Sequence, residues 1–508
     1  MLLLGIDIGT SSIKASVVDS GTQQYIASAQ FPEKEAEIIS LQPGWAEQSP
    51  ELWWEHTQNA ILKLHAQKKY NPKNIAAIGI AYQMHGLVMV DKQQNVLRNS
   101  IIWCDSRAVE LGNKAFEKIG EEKCLSHLLN SPGNFTASKL AWVKQNEPEV
   151  YAKLDKIILP GDFIGMKLTG EITTSISALS EGIFWDFKHN ELSKDVFEYY
   201  GFDTSIIPEI KNVFAAHGQI TDAVAEKLSL QKNISVTYKA GDQPNNALSL
   251  NVLEPGEVAA TAGTSGVIYG VSDQLEYDKR SRVNTFAHVN YKVPSPLSKT
   301  PVFSGERAGG EVRLGILLCI NGTGILNRWV KNIAGNNKSY AEINEAASQI
   351  NPGSDGVSIL PFGNGAERML NNKMVNSFFN NIDFNKHTAA HLYRAAQEGI
   401  AFAFRYGFDI LKENGMSPTV IRAGKANLFL SEVFRECFVN TLQVPVELYN
   451  CDGSVGAAIG SGIGANIYRN AKEAFQFFKS LELIEPNQKN NYDDFYQQWL
   501  TQLSKQIN

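Results

Sequence analysis

GIDIGTSSIKASVVD, Gly5 to Asp19, returns in weaker form as AATAGTSGVIYGVSD, Ala259 to Asp273, at a constant offset of 254. Gly9-Thr10-Ser11 falls on Gly263-Thr264-Ser265, and Asp19 on Asp273. In each copy an apolar extended run enters a Gly-Thr turn and a second extended run leaves it. A repeat at half the chain length predicts two similar domains, 1–252 and 253–508, facing one another across a cleft. Asp7 in the first copy is Thr261 in the second. Only one copy keeps a carboxylate beside its turn, as expected where a metal is held on one side.

The bulk properties narrow the class. A chain of 508 residues exceeds one compact core, and 43% hydrophobic with 20% charged residues is a globular composition. A net charge of −6 argues against nucleic acid or an anionic membrane as a main partner. Gly5 and Asp7 interrupt the apolar start, no basic segment precedes it, and no run reaches the length of a membrane span. Cys104, Cys124, Cys319, Cys437 and Cys451 are odd in number and lack metal-ligand spacing. They read as reduced, mostly buried thiols of a cytoplasmic protein.

Outward from the opening repeat, residues 1–30 read as a β-meander with turns at Gly9-Thr10 and Ser20-Gly21. Ser49-Pro50 caps a helix whose buried face carries Trp53, Ala60, Ile61 and Leu64. Ile75 to Ala81 reads as a buried strand, with Leu87–Val90 and Ile101-Ile102-Trp103 completing the local sheet. Strands alternate with helices to about Ser249, which makes the class α/β. In the second half, the Pro-, Ser- and Gly-rich stretch between His288 and Leu314 reads as an exposed loop or hairpin. Helical patterns span Leu314–Ile333, Ala389–Lys412 and Ser431–Leu442. In the tail, Tyr492, Phe495, Tyr496, Trp499, Leu500 and Leu503 form a stripe that reads as a face docking on the body.

Four places could carry chemistry. Asp7 with Gly9-Thr10-Ser11 offers a carboxylate for Mg²⁺ beside a turn whose N–H groups suit phosphate oxygens; alone, it reads first as a tight hairpin with a capping Asp, and the second copy at Gly263-Thr264-Ser265 reverses that order. Ala240-Gly241-Asp242-Gln243 presents an acid that could take a proton from a sugar hydroxyl attacking a γ-phosphate, or could simply cap a helix. Gln83-Met84-His85-Gly86 offers directional hydrogen bonds and an adaptable apolar wall to a polyol, and Trp103, Asp105 and Arg107 lie nearby in sequence. Arg422-Ala423-Gly424-Lys425-Ala426-Asn427 is a strand-to-helix turn on which an adenine ring could lie, with Asn427 at the base edge; an ordinary loop is its other reading.

These elements, in this order, resemble the FGGY carbohydrate kinases from Leu4 to about Ala465, with the Gln83–Gly86 loop most similar to the branch that phosphorylates xylulose. Lys139-Leu140-Ala141-Trp142 also matches a segment typical of that family. The resemblance implies an α/β fold of two duplicated, actin-like (ribonuclease-H-type) domains closing on Mg-ATP and a sugar. It implies Asp242 as catalytic base, and Met84, His85, Asp242 and Gln243 as ketose ligands, to which the local reading adds Gln83, Trp103 and Asp105. Thr10, Ser11 and Lys14 match the first phosphate loop, and Gly263 and Thr264 the second. Gly324 matches the helix that abuts the nucleotide, Gly424 and Asn427 the adenosine loop. The chain departs from the pattern in three places. Its adenosine loop is less glycine-rich, the Ser304–Val312 loop is long, and Gly365-Ala366-Glu367-Arg368 keeps part of a usual Gly-Glu-Arg segment. The expected reaction is ATP-dependent phosphorylation of D-xylulose at its terminal 5-hydroxyl. The alternatives are a sibling kinase for ribulose or gluconate, a non-catalytic sugar sensor, and an actin-like ATPase. Sugar and ATP are the expected partners, with no nucleic acid or membrane; the resemblance makes a homodimer plausible, which the tail or the 388–410 helix could serve, though either could equally be core.

Overall fold

The apolar alternation of the first thirty residues forms three antiparallel strands, β1 (Leu2–Ile8), β2 (Ile13–Asp19) and β3 (Tyr25–Phe31). The computed structural model to which they belong describes residues 1–293, 312–335, 337–487 and 489–507. On the other side of β1 lie β4 (Ile75–Tyr82) and β5 (Ser235–Gly241), both parallel to it, in the order β5-β4-β1-β2-β3. Ser49 caps the helix Pro50–Ala66, and Trp53, Ala60, Ile61 and Leu64 are buried on it as the spacing predicts.

The helix Gly453–Gly464 packs on the same sheet, and its glycines explain how closely. An ideal Cβ on Gly5 would lie 1.8 Å from the Ser454 carbonyl oxygen, and one on Gly79 would lie 1.9 Å from that of Ala457. Strand and helix glycines together let two backbones approach to a distance no side chain permits. Met1–Leu253, Phe286–Leu314 and Asp452–Phe478 form one compact unit; Glu254–Thr285, Gly315–Cys451 and Lys479–Asn508 form the other.

The second unit repeats the opening motif. β6 (Glu257–Ala262) and β7 (Gly266–Ser272) are antiparallel around the Gly263-Thr264-Ser265 turn. With β8 (Asn284–Ala287), β9 (Leu314–Ile320), β10 (Val420–Gly424), β11 (Val446–Tyr449) and β12 (Glu482–Ile484) they make a seven-stranded sheet, β8-β9-β7-β6-β10-β11-β12. β10 runs parallel to β6, and β11 to β10, as β4 and β5 do to β1. The turns differ in length. Ile8 pairs with Ile13 across the first, Ala262 with Gly266 across the second.

Several sequence expectations are corrected. Leu314–Ile320 is a strand rather than the start of a helix; the helix begins at Gly324. A continuous apolar run reads the same in a buried strand and a buried helix. Val88–Val90 and Ser100–Ile101 do not join the main sheet but pair with Lys156–Ile158 and Glu47–Gln48 in separate ribbons. The tail helix Tyr492–Ile507 buries Tyr492, Tyr496, Trp499 and Leu503 within the second unit, as its stripe predicts. That burial, and the equally buried helix Ala389–Glu413, leaves neither element's apolar face as a surface for a second copy. Of the Pro-rich stretch, including Ser304, residues 294–311 lie outside the described residues. No helix among the described residues is long and apolar enough to cross a membrane, and the expectation of mostly buried cysteines is corrected: Cys124 and Cys437 are buried, Cys451 is half-buried, and Cys104 and Cys319 are exposed.

Two histidines tie stability to pH. His217 is buried against Thr173 Oγ1 at 3.0 Å, and burial, with Lys239 adding to it, pushes its pKa down to about 3. His288 is fully buried and is also pushed down to about 3, chiefly by burial. Unfolded, both titrate near 6.5. Below that value the unfolded chain binds protons that the folded chain refuses, so stability is complete above about pH 6.5 and is lost as pH falls towards 3. Each group contributes a slope of up to about 1.4 kcal/mol per pH unit. Between pH 7.5 and 5.5 the buried acids Asp7 and Asp242, whose pKa values are raised, act in the opposite direction, so the readout is the difference: wild type is expected to lose stability relative to His217→Gln in denaturant unfolding as the pH falls.

Candidate functional site

The register of the first sheet gathers the candidate residues at one edge. Ile8 lies opposite Tyr82, and Tyr82 opposite Gly241. The Gly9 turn, the Gln83 loop and Asp242 therefore leave the carboxyl ends of three adjacent parallel strands, where open α/β sheets take ligands. Lys14 is the cross-strand partner of Asp7, so their side chains share a face.

Asp7 and Asp242 are brought together with a third acid. Asp452 caps the helix Gly453–Gly464 and forms a salt bridge with Lys14. Gly453 is required beside it, since a Cβ there would lie 2.3 Å from Asp7 Oδ2. Burial, then the Asp452 charge, raise the Asp7 pKa to about 6, with Lys14 opposing them. Burial, then Asp7, raise that of Asp242 to about 7. Burial also acts to raise Asp452, but Lys14 and Ser454 hold it below the ordinary carboxylate range. Three carboxylates against one ammonium leave an excess of negative charge; the three are not close enough to form a preformed cation cluster, and Asp7 alone would offer a carboxylate to a hard divalent cation held otherwise by water and phosphate oxygens. Gln243, the next residue along the helix Asp242–Ser249, hydrogen-bonds Asp242 through backbone and side chain.

The Thr10 side of the turn is wired to the Gln83 loop. Trp103 Nε1 donates to Thr10 Oγ1 at 2.9 Å, and Thr10 Oγ1 donates to Gln83 Oε1 at 3.1 Å. Gln83 Nε2 in turn donates to Gln48 Oε1 at 3.1 Å, and Gln48 Nε2 to the Thr10 carbonyl at 2.8 Å. Gln83 is buried within this ring and Trp103 is exposed beside it; Ser11 is exposed at the turn's tip. Met84 is buried against Gly241. His85 adopts a left-handed backbone with φ 63, and its Nδ1 donates to the Glu181 carbonyl at 3.0 Å. In the neutral ring that bond makes Nε2 the acceptor. Lys139, fully buried, donates to the carbonyls of His85 and Ile102, each at 3.0 Å, and holds the loop to the chain leading into Trp103.

Asp105 is a correction. Its fully buried carboxylate accepts from the Ala46 N–H at 2.6 Å and from the backbone and guanidinium of Arg107, which lies 3.8 Å from the centre of the Trp45 ring. Those bonds engage both oxygens, so Asp105 serves as scaffold rather than as a sugar ligand.

In the second unit, Gly263, Thr264, Gly324 and Asn427 line one cavity of about 310 Å³, with Asn327, Arg328, Tyr340, Asn344 and Ser431. The Gly324 N–H donates to the Gly263 carbonyl at 2.9 Å, and a Cβ on Gly324 would lie 2.2 Å from that oxygen. Glu367, of the partly kept Gly-Glu-Arg segment, accepts from Asn321 and Gly322 N–H and braces the entry to this helix. Asn427 takes a left-handed backbone, φ 53, at the cavity wall. Gly424 does not line the cavity; the nearest atom to a Cβ there is Cys451 Cβ at 3.8 Å.

Asp452, Gly453, Lys139, Tyr340 and Glu181 were absent from the candidates read off the sequence. The glycine spacing of Gly453-Ser-Val-Gly456 onward was a usable signal for the first two, because it marks a helix that must meet another backbone. Lys139 stood in a family-like segment with no role attached to it, and Tyr340 and Glu181 depend on tertiary placement that no local pattern announces.

Models of the FGGY family of carbohydrate kinases match the chain twice, the N-terminal domain over residues 2–249 and the C-terminal domain over residues 258–465. A xylulose kinase of Haemophilus influenzae is 27% identical over 99% of this chain and 100% of its own. A solved structure of a xyloylose kinase from Brucella ovis shares 25% identity with a TM-score of 0.85, covering 99% of each chain. A gluconate kinase from Lactobacillus acidophilus shares the fold at 20% identity, with a TM-score of 0.87 over 100% of this chain and 98% of its own. The duplication expected from the repeat, and the actin-like α/β fold that the family resemblance implies, are the architecture these structures share.

Proposed function

From the premise that the chain belongs to the FGGY family of carbohydrate kinases and is an ATP-dependent sugar kinase, we propose that it phosphorylates D-xylulose at the 5-hydroxyl. The single observation carrying the assignment of roles is the convergence of Asp7, Asp242 and the Met84–His85 loop at the ends of adjacent parallel strands. The choice of ketose is supported by the xylulose kinase relatives, which match nearly the whole chain.

In this reading Met84 walls the carbon skeleton and His85 Nε2 accepts from a sugar hydroxyl. Asp242, poised near pH 7 and steered by Gln243, orients and deprotonates the attacking hydroxyl. Lys14 and the N–H groups of Thr10 and Ser11 stabilise charge on the transferring phosphoryl, the Gly9 N–H being held by the Ser12 carbonyl at 3.1 Å. A divalent ion, Mg²⁺, held at Asp7 supplies further neutralisation of phosphate charge when bound. The nucleoside is assigned to the cavity of Gly263, Thr264, Gly324, Tyr340 and Asn427. Asn427→Ala is expected to raise the ATP KM about tenfold while leaving the sugar KM within twofold, measured by coupled ADP release.

ADP release over a panel of D-xylulose, D-ribulose, D-gluconate and glycerol tests the substrate. The highest kcat/KM is expected for D-xylulose; a sugar-free background rate with D-xylulose and turnover of another member would move the assignment to that sibling activity. Calorimetric binding of sugar without any transfer would instead indicate a sensor.

A further inference from the structure

Glu181 ends a short helix, Ile176–Glu181, and its side chain turns back beneath the Gln83–Gly86 loop, where it is 2% exposed. Its main-chain carbonyl receives the His85 Nδ1 proton at 3.0 Å. Its carboxyl lies over Gly241, the residue before the proposed base. A Cβ built on Gly241 would come within 2.9 Å of Glu181 Oε2 and 2.7 Å of Met84 Cγ. Met84, His85, Gly241 and Asp242 thus all converge on this one residue.

The Glu181 carboxyl is incompletely bonded there. The Tyr82 phenol is within interaction range, but neither Oε1 nor Oε2 makes a hydrogen bond of standard geometry. A buried carboxyl oxygen without a partner is costly, and such groups persist in native proteins where a bound molecule completes them. Burial above all, with the charges of Asp242 and Asp162 adding to it, pushes the Glu181 pKa well above the carboxylate range. A neutral carboxyl both donates and accepts, which is the complement of an alcohol group.

The geometry points to Glu181 as a sugar-binding residue that takes one non-reacting hydroxyl of the polyol and so sets which sugars the site accepts. The inference rests on the reading that Met84, His85 and Asp242 hold the sugar. It adds a polar contact at a position where Leu or Met would fill the same volume without it.

The test is a functional-group cycle on the full chain. Wild type, Glu181→Gln and Glu181→Leu are assayed for kcat, sugar KM and ATP KM with the preferred sugar and its monodeoxy analogues. In Glu181→Leu the sugar KM is expected to rise at least about tenfold, with the ATP KM within twofold. One deoxy sugar is expected to cost wild type a similar factor and to cost Glu181→Leu nothing further, a coupling that a merely structural role would not produce. Glu181→Gln, which retains a donor and an acceptor, is expected to lie between the two. Sugar KM values and deoxy penalties in both variants equal to those of wild type would overturn the inference. If Glu181→Leu does not fold, Glu181→Gln with unchanged deoxy penalties overturns it alone. Wild type that transfers phosphate to no sugar would instead remove the underlying reading, so the two failures are distinguishable.

Discussion

Asp242→Asn is expected to lower kcat by about 10²–10⁴-fold, the contribution of a positioned general base, while the sugar KM stays within about threefold. The substitution keeps the side chain's volume and its ability to accept from Gln243, so the helix Asp242–Ser249 still starts at the same place. What it removes is proton affinity at the end of β5. It also removes a buried charge that burial and Asp7 oppose and that helps raise the Glu181 pKa, and thermal stability is therefore expected to hold or rise. Steady-state kinetics with D-xylulose and ATP check the first part, and thermal unfolding checks the second. Turnover within a factor of three of wild type would remove Asp242 from the role of base.

Gly5→Ala is expected to be among the most damaging small substitutions in the first unit. The new methyl would sit 1.8 Å from the Ser454 carbonyl oxygen and 2.4 Å from the Ala458 nitrogen, both backbone atoms that cannot rotate away. The helix Gly453–Gly464 must then shift off the sheet, at a cost of about 1–3 kcal/mol or more. Thermal unfolding is expected to begin several degrees lower. Activity should fall further than stability, because the same helix start seats Asp452 against Lys14 and leaves Gly453 open to the Asp7 carboxylate. Gly424→Ala is the control. The nearest atom to its Cβ is 3.8 Å away, and its effect on unfolding is expected to stay within about 0.5 kcal/mol.

The two substitutions mark what the sequence carried well. The paired Gly-Thr-Ser turns announced a duplicated fold because a tight turn between apolar strands leaves a local signature, and both turns stand where the repeat placed them. The acids at positions 7 and 242 were readable for the same reason, Asp7 two residues before the turn glycine Gly9 and Asp242 directly after Gly241, each at a strand end. Asp105 was misread because sequence proximity to Trp103 says nothing of which way a carboxylate turns, and Arg107 together with the Ala46 N–H claims it. Leu314–Ile320 was misread because a buried strand and a buried helix present the same apolar run. Lys139 stood in a recognisable segment, yet its task became visible only when its amine met two carbonyls of distant loops. Glu181 had no local signal at all.

The most direct measurement is a phosphorus–proton correlation spectrum of the product formed from ATP and D-xylulose. The account predicts a phosphate ester whose phosphorus couples to the two C5 protons of the ketose, formed at a rate that Asp242→Asn lowers by at least about a hundredfold. Coupling to C1 protons, or free inorganic phosphate with the sugar unchanged, would contradict it.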